Sequence, residues 1–200
     1  MDSIGTVDEL EALYGRAGAA SLIKVAPRVT PLYRRWIERA RFCILSTVGP
    51  EGTDASPRGD DGPVVLVDGP GRLLLPDWRG NNRLDSLRNI LRDPRVSLMF
   101  LVPGSTNVVR VNGRAVVTAD EAVLGRFERD GVRPRTVVAV TVGEVYVQCA
   151  RAILRAGLWR GEDESAGLPS VGDLLAEARE GCDGAAYDRE WPERARGTMW

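Results

Sequence analysis

Residues Leu73 to Leu91 read LLLPDWRGNNRLDSLRNIL, an apolar strand, a polar break and a helix in direct succession. Leu73, Leu74 and Leu75 form a short apolar run that ends at Pro76, and Asp77-Trp78-Arg79-Gly80 supplies turn chemistry. Past the break, Leu84, Leu87, Ile90 and Leu91 recur at helical spacing on one face, while Asp85, Arg88 and Arg92 fall elsewhere. Asn81 or Asn82 is the expected N-cap. A helix start offers unpaired N–H groups and the positive end of the dipole, so Arg83 and its neighbouring amides can hold an anion such as a phosphate. The simpler alternative is a capped structural helix with a solvated arginine.

Working outward, Phe42 to Ser46 reads as a strand, Gly49-Pro50-Glu51-Gly52 as its turn, and Asp54 to Arg58 as the returning strand of a hairpin. The return carries SPRGD, Ser56 to Asp60, and period-two geometry projects Ser56 and Arg58 to the same side, which allows a phosphate or another polar ligand there; the simpler alternative is a strand running out into the polar turn Gly59-Asp60-Asp61-Gly62. Val64–Val67 and Arg72–Leu75 form a second hairpin around Asp68-Gly69-Pro70-Gly71. Beyond the central helix, RVSLMFLV (95–102) and VVRVNGRAVVT (108–118) read as an antiparallel pair, with Arg110 and Asn112 sharing one face. Val137–Val147 is the last long strand. At least six strands with short connections favour a barrel, closed or split, and exclude regular βα alternation. Helices are expected near Val7–Tyr14 and from Pro31, both as packing elements, at Asp120–Phe127, in QCARAILRAGLW (148–159) and around Val171–Ala178. Aromatic residues to the end of the chain, Tyr187, Trp191 and Trp200, favour docking over dangling.

Composition excludes several functions. Net charge is −1, from 28 acidic and 27 basic residues, which leaves no electrostatic footprint for nucleic acid. Histidine is absent, so histidine-dependent triads, histidine-ligated zinc or iron, and a histidine general base are all ruled out. Cys43, Cys149 and Cys182 are odd in number and far apart, which suggests reduced thiols and no metal site. With no membrane-length apolar run and no basic-then-apolar leader, a cytoplasmic protein of one domain is expected: N-terminal helices over 1–41, a barrel over about 42–148 and a helical tail over 149–200.

Four ordered blocks, FCILSTVGPEGTDASPRGD, LPDWRGNNRLDSLRNILRDPRVSLMFLVPG, VRVNGRA and QCARAILRAGLW, resemble the pyridoxamine 5′-phosphate oxidase-like flavoproteins with an FMN-binding split barrel. The resemblance spans residues 30 to 160 and is nearest to a subgroup carrying SPRGD and GNNR. It implies a mainly β protein with flanking helices, a six-stranded antiparallel Greek-key split β-barrel, and a homodimer with FMN in two interface clefts. By motif, it implies that Ser56, Pro57, Arg58 and Gly59 follow the flavin ring and phosphate, that Asn82 and Arg83 grip the phosphate with Asn81 beside them, and that Pro76 and Asp77 border the ring. Arg110 and Asn112 would contribute to the cleft, and Arg155 and Trp159 would reach the flavin of the other subunit. Where related chains often carry a histidine and a lysine, this chain has Gln148 and Arg151, which removes a titratable group from the tail block.

The function implied is an FMN-dependent oxidoreductase acting on a small-molecule substrate or a nicotinamide donor, with Asp60, Asp77, water or the flavin nitrogen handling protons. The alternatives are a true pyridoxine/pyridoxamine 5′-phosphate oxidase, a non-catalytic flavin-binding or redox-sensing protein, and a barrel for deazaflavin or haem.

Overall fold

The computed structural model describes residues 1–200. Helices α1 (Val7–Tyr14), α2 (Ala19–Ile23) and α3 (Pro31–Ile37) precede strands β1 (Phe42–Gly49), β2 (Gly52–Gly59), β3 (Leu66–Val67) and β4 (Arg72–Asp77). Helix α4 (Asp85–Arg92) leads to β5 (Arg95–Leu101) and β6 (Val108–Thr118). Then come α5 (Glu121–Leu124) with a 3₁₀ turn at Gly125–Phe127, β7 (Thr136–Gln148), and helices α6 (Arg151–Ala156), α7 (Val171–Ala178) and α8 (Gly184–Gly197).

All strand pairings are antiparallel, in one sheet ordered β2-β1-β5-β6-β7-β4-β3. The expectation of six strands is therefore corrected to seven, and the barrel is not closed, since β2 and β3 end the sheet unpaired with each other. The physical reason lies between them. The amides of Asp60 and Val64 donate to the carbonyls of Arg41 and Ala40, each at 2.9 Å, so this stretch is tied to the chain entering β1. The strand expected at Val64–Val67 is thereby reduced to Leu66 and Val67.

Alternation along the strands builds the core: Cys43 and Leu45, Leu98 and Phe100, and Val109 and Val111 are buried while their neighbours are less so, and β7 adds Val138 and Val140 on this side and the equally buried Val137 against Leu74 and Leu124. The VNG sequence of β6 marks a bulge between Asn112 and Gly113. Glycine is required there, because a Cβ on Gly113 would lie 2.1 Å from the Thr141 carbonyl oxygen.

Helix α3 packs as expected, with Ile37 buried and Tyr33 and Trp36 against the core. The Tyr33 hydroxyl donates to the Lys24 carbonyl at 2.6 Å and accepts from the Val147 amide at 3.2 Å. Helix α1 does not pack: capped by Thr6, it leaves Val7, Leu10, Leu13 and Tyr14 exposed. The predicted face of α4 is also corrected. Leu84 and Leu91 are exposed, and Ser86, Leu87, Asn89 and Ile90 are buried. The two polar residues turn inward because partners await them: Ser86 Oγ donates to Asp54 and Asn89 Nδ2 donates to Thr47 Oγ1 at 3.1 Å. No helix is long and apolar enough to cross a membrane.

Candidate functional site

The split in the barrel opens a cavity of about 1240 Å³. One wall is β2, an edge strand on which Asp54, Ser56 and Arg58 are half-buried and Ala55 and Pro57 exposed, all five lining the cavity. The opposite wall is the end of β4, Leu75 to Asp77, with Thr136 directly across from Asp77 on β7. The floor is the loop Trp78–Leu84 and the start of α4, so the site is assembled where strand, break and helix meet.

Across the split, Arg58 Nη1 donates to Asp77 Oδ1, with both side chains less than one-fifth exposed. A charged hydrogen bond thus joins β2 to the end of β4, two strands that no backbone ladder connects. Arg58 Nε is buried without a partner, and so is the Thr136 hydroxyl; both residues line the cavity. Buried donors are normally satisfied, so these two are the unpaired polar atoms of the cavity lining.

The helix start departs from the expected cap. Neither Asn81 nor Asn82 is the N-cap of α4; Leu84 occupies that position in the left-handed region, φ 63°, with no side-chain cap. Asn81 Oδ1 instead accepts from the Arg83 amide at 3.1 Å, and Asn82, itself left-handed at φ 59°, accepts from Arg135 Nη1 at 3.2 Å. The first-turn amides of α4 therefore keep donors free for an anion. Arg83 is bonded to Asp85 at 2.8 Å and its side chain is 75% exposed, so that pair is worth ~1 kcal/mol at most and yields readily to a phosphate. Arg79, Arg83 and Arg135 lie at this end of the cavity, with Asp85 paired to Arg83 and Asp54 bonded to Ser86 beside them.

The two carboxylates considered for proton handling are both engaged by guanidinium groups. Asp77 holds Arg58, while Asp60 accepts from Arg129 at 2.6 Å and from Trp78 Nε1 at 3.1 Å. Each serves as an anchor. Beneath them the Cys43 thiol is pushed up to about 12 by burial, a shift that the positive charge of Arg58 only partly opposes.

Of the residues expected from the sequence, Ser56, Pro57, Arg58, Gly59, Pro76, Asp77, Asn81, Asn82 and Arg83 come together around this cavity. Arg110, Asn112, Arg155 and Trp159 do not line it. Asn112 donates to Glu144 at 2.7 Å, and Arg110 lies 5.5 Å from the Tyr146 ring centroid with its Nε buried and unpartnered. Trp159 donates to the Ser105 carbonyl at 2.7 Å, and Arg155 is exposed. The sequence reading missed Thr136, Arg135 and the Trp78–Arg129–Trp200 cluster. Only the register of β7 against β4 reveals the first, and only tertiary contact reveals the last. No three histidine, cysteine, aspartate or glutamate side chains are grouped to hold a metal.

The sequence profile of the pyridoxamine 5′-phosphate oxidase family matches residues 29–149, and the chain belongs to that family. It thus has a flavin-type oxidoreductase fold. Among solved structures, a variant of HupZ from Group A Streptococcus is similar with a TM-score of 0.50 at 14% identity, covering 60% of this chain and 99% of that one. General stress protein 26 from Bacillus anthracis gives 0.44 at 16% identity, covering 57% and 88%. An F420 reductase gives 0.42 at 20% identity, covering 60% and 98%. No curated protein matches the sequence.

Proposed function

We propose that the protein is an FMN-dependent oxidoreductase acting on a small organic molecule or a nicotinamide donor. The observation that carries this reading is the open cavity between β2 and the end of β4, lined by Arg58 and Thr136, with Arg83 and the uncapped start of α4 at one end. That donor set fits FMN, which combines a carbonyl-bearing ring with a phosphate.

Arg83 and the uncapped first turn of α4 would hold the phosphate, with Asn81 and Asn82 shaping the loop that presents them. Arg58 and Thr136 would donate to ring acceptors, and Asp77 would keep Arg58 extended across the split. Pro57 and Pro76 offer apolar edges without competing N–H groups, and Ser56 and Gly59 let the chain lie close along the ligand. When bound, FMN supplies hydride chemistry, and the protein's part is binding, orientation and the electrostatics of the ring. With Asp60 and Asp77 both committed to arginines, protons would be exchanged with water.

Purified protein should be yellow and should release FMN on denaturation. Under nitrogen the flavin should bleach with NADH, NADPH or pyridoxine 5′-phosphate and recolour in air. Bleaching by pyridoxine 5′-phosphate alone would favour the vitamin-directed oxidase. Reduction by dithionite only, with every organic donor and a reduced deazaflavin inert for hours, would favour a flavin sensor. Protein that neither contains FMN nor gains thermal stability from it would overturn the proposal.

A further inference from the structure

Helices α7 and α8 form a hairpin that is bound to itself far more than to the barrel. Gly172 and Gly184 bring the two backbones so close that a Cβ on Gly172 would lie 2.2 Å from the Gly184 carbonyl oxygen. Asp188 accepts from Ser170 Oγ at 2.5 Å and from the Gly172 amide at 2.9 Å, and Arg194 covers the stacked rings of Tyr187 and Trp191. No hydrogen bond or ion pair joins residues 171–197 to the barrel. The link before the hairpin contains three left-handed glycines, Gly157, Gly161 and Gly167, a backbone suited to a hinge.

At the far end of α8 the chain returns to the site. Met199 and Trp200 line the cavity, and Trp200 meets Trp78 edge-on with centroids 5.3 Å apart. The Arg129 guanidinium lies 4.9 Å from the Trp200 ring and 5.6 Å from the Trp78 ring, fixed by Asp60 and Asp61. We propose that the Met199–Trp200 end of the chain is a cover over the cavity, carried by the α7–α8 hairpin on its glycine-containing link and latched by Trp200 on Trp78 and Arg129. A latch made only of aromatic and cation–π contact favours closure yet releases without breaking any hydrogen bond of the barrel.

The test has one arm that is independent of the flavin reading, on which only its second arm rests. In protein carrying Ser56→Cys and Cys182→Ser, a charged methanethiosulfonate reagent should modify the cavity cysteine about tenfold faster when Trp200→Ala is added, with Trp200→Phe intermediate, as loss of one such latch implies. The exposed native Cys149 serves as the internal control and should react at an unchanged rate. Equal rates at position 56 with and without Trp200 would overturn the cover. In the second arm, Trp200→Ala should speed FMN association and dissociation by similar factors of about ten while the Kd moves less than about threefold. Faster dissociation alone, with matching loss of affinity, would make Trp200 a direct ligand contact and overturn the cover. Absence of FMN binding in the unaltered protein would remove the flavin reading and leave the first arm to decide.

Discussion

Cys43 and Arg58 face each other across β1 and β2, one in the core and one on the cavity wall, and the environment treats them oppositely. Burial pushes the thiol up to about 12 from an ordinary 9.0, so the native state retains a proton that the unfolded chain releases earlier. The sign follows: this contribution to stability is fully present below pH 9 and is lost as pH rises through 9 toward 12. Cys43→Ala should be less stable at neutral pH through lost packing, but its deficit against the parent should shrink above pH 9 by up to ~1.4 kcal/mol per pH unit. Urea unfolding of both proteins from pH 7 to 11 checks it, because other titrating groups cancel in the difference. A deficit constant over that range would show that the thiol does not titrate with unfolding.

At the scale of elements, α4 links the fold to the site. It is docked by Ser86 on Asp54 and Asn89 on Thr47, while its first turn opens on the cavity. Arg83→Ala should weaken FMN binding by about 2 kcal/mol, the size of one charged hydrogen bond, and leave riboflavin, which lacks the phosphate, nearly unaffected. Titrations with both ligands decide it; equal losses would assign Arg83 to the ring or the loop. The existence of α4 was legible from its sequence, as were the strands around it, because apolar periodicity reports the type and span of an element. Its cap and its buried face were not. Asn82 and Leu84 are both left-handed, a turn that cap statistics do not foresee, and the inward polar pair depends on partners some thirty to forty residues away in the hairpin of β1 and β2. Similarly, SPRGD announced a polar strand, but its pairing with Asp77, and the two edges that leave the barrel open, depend on which amides residues 40 and 41 capture.

At the scale of the whole molecule, one chain leaves apolar surface exposed and a buried polar atom without a partner. Helix α1 exposes Val7, Leu13 and Tyr14 at 68%, 71% and 81%, and Leu154 and Leu158 of the tail block are also more than half or half exposed. Arg110 keeps a buried Nε without a partner, and Arg155 stands exposed beside a tethered Trp159, a pairing of residue types enriched at interfaces. These are the residues that the family resemblance assigns to the cleft and the opposite flavin, and they are the ones a single chain leaves outside its own cavity. The expected outcome is therefore a symmetric dimer, with light scattering giving twice the chain mass of 21.8 kDa. Its thermal midpoint should rise with protein concentration, as it must when association favours the folded state. Arg155→Glu should then weaken FMN retention without touching the cavity of its own chain, and mixing it with an Arg83→Ala chain should restore one working cleft per mixed dimer. A monomer that still holds FMN tightly would refute both the dimer and the placement of Arg155 and Trp159 at the opposite cleft.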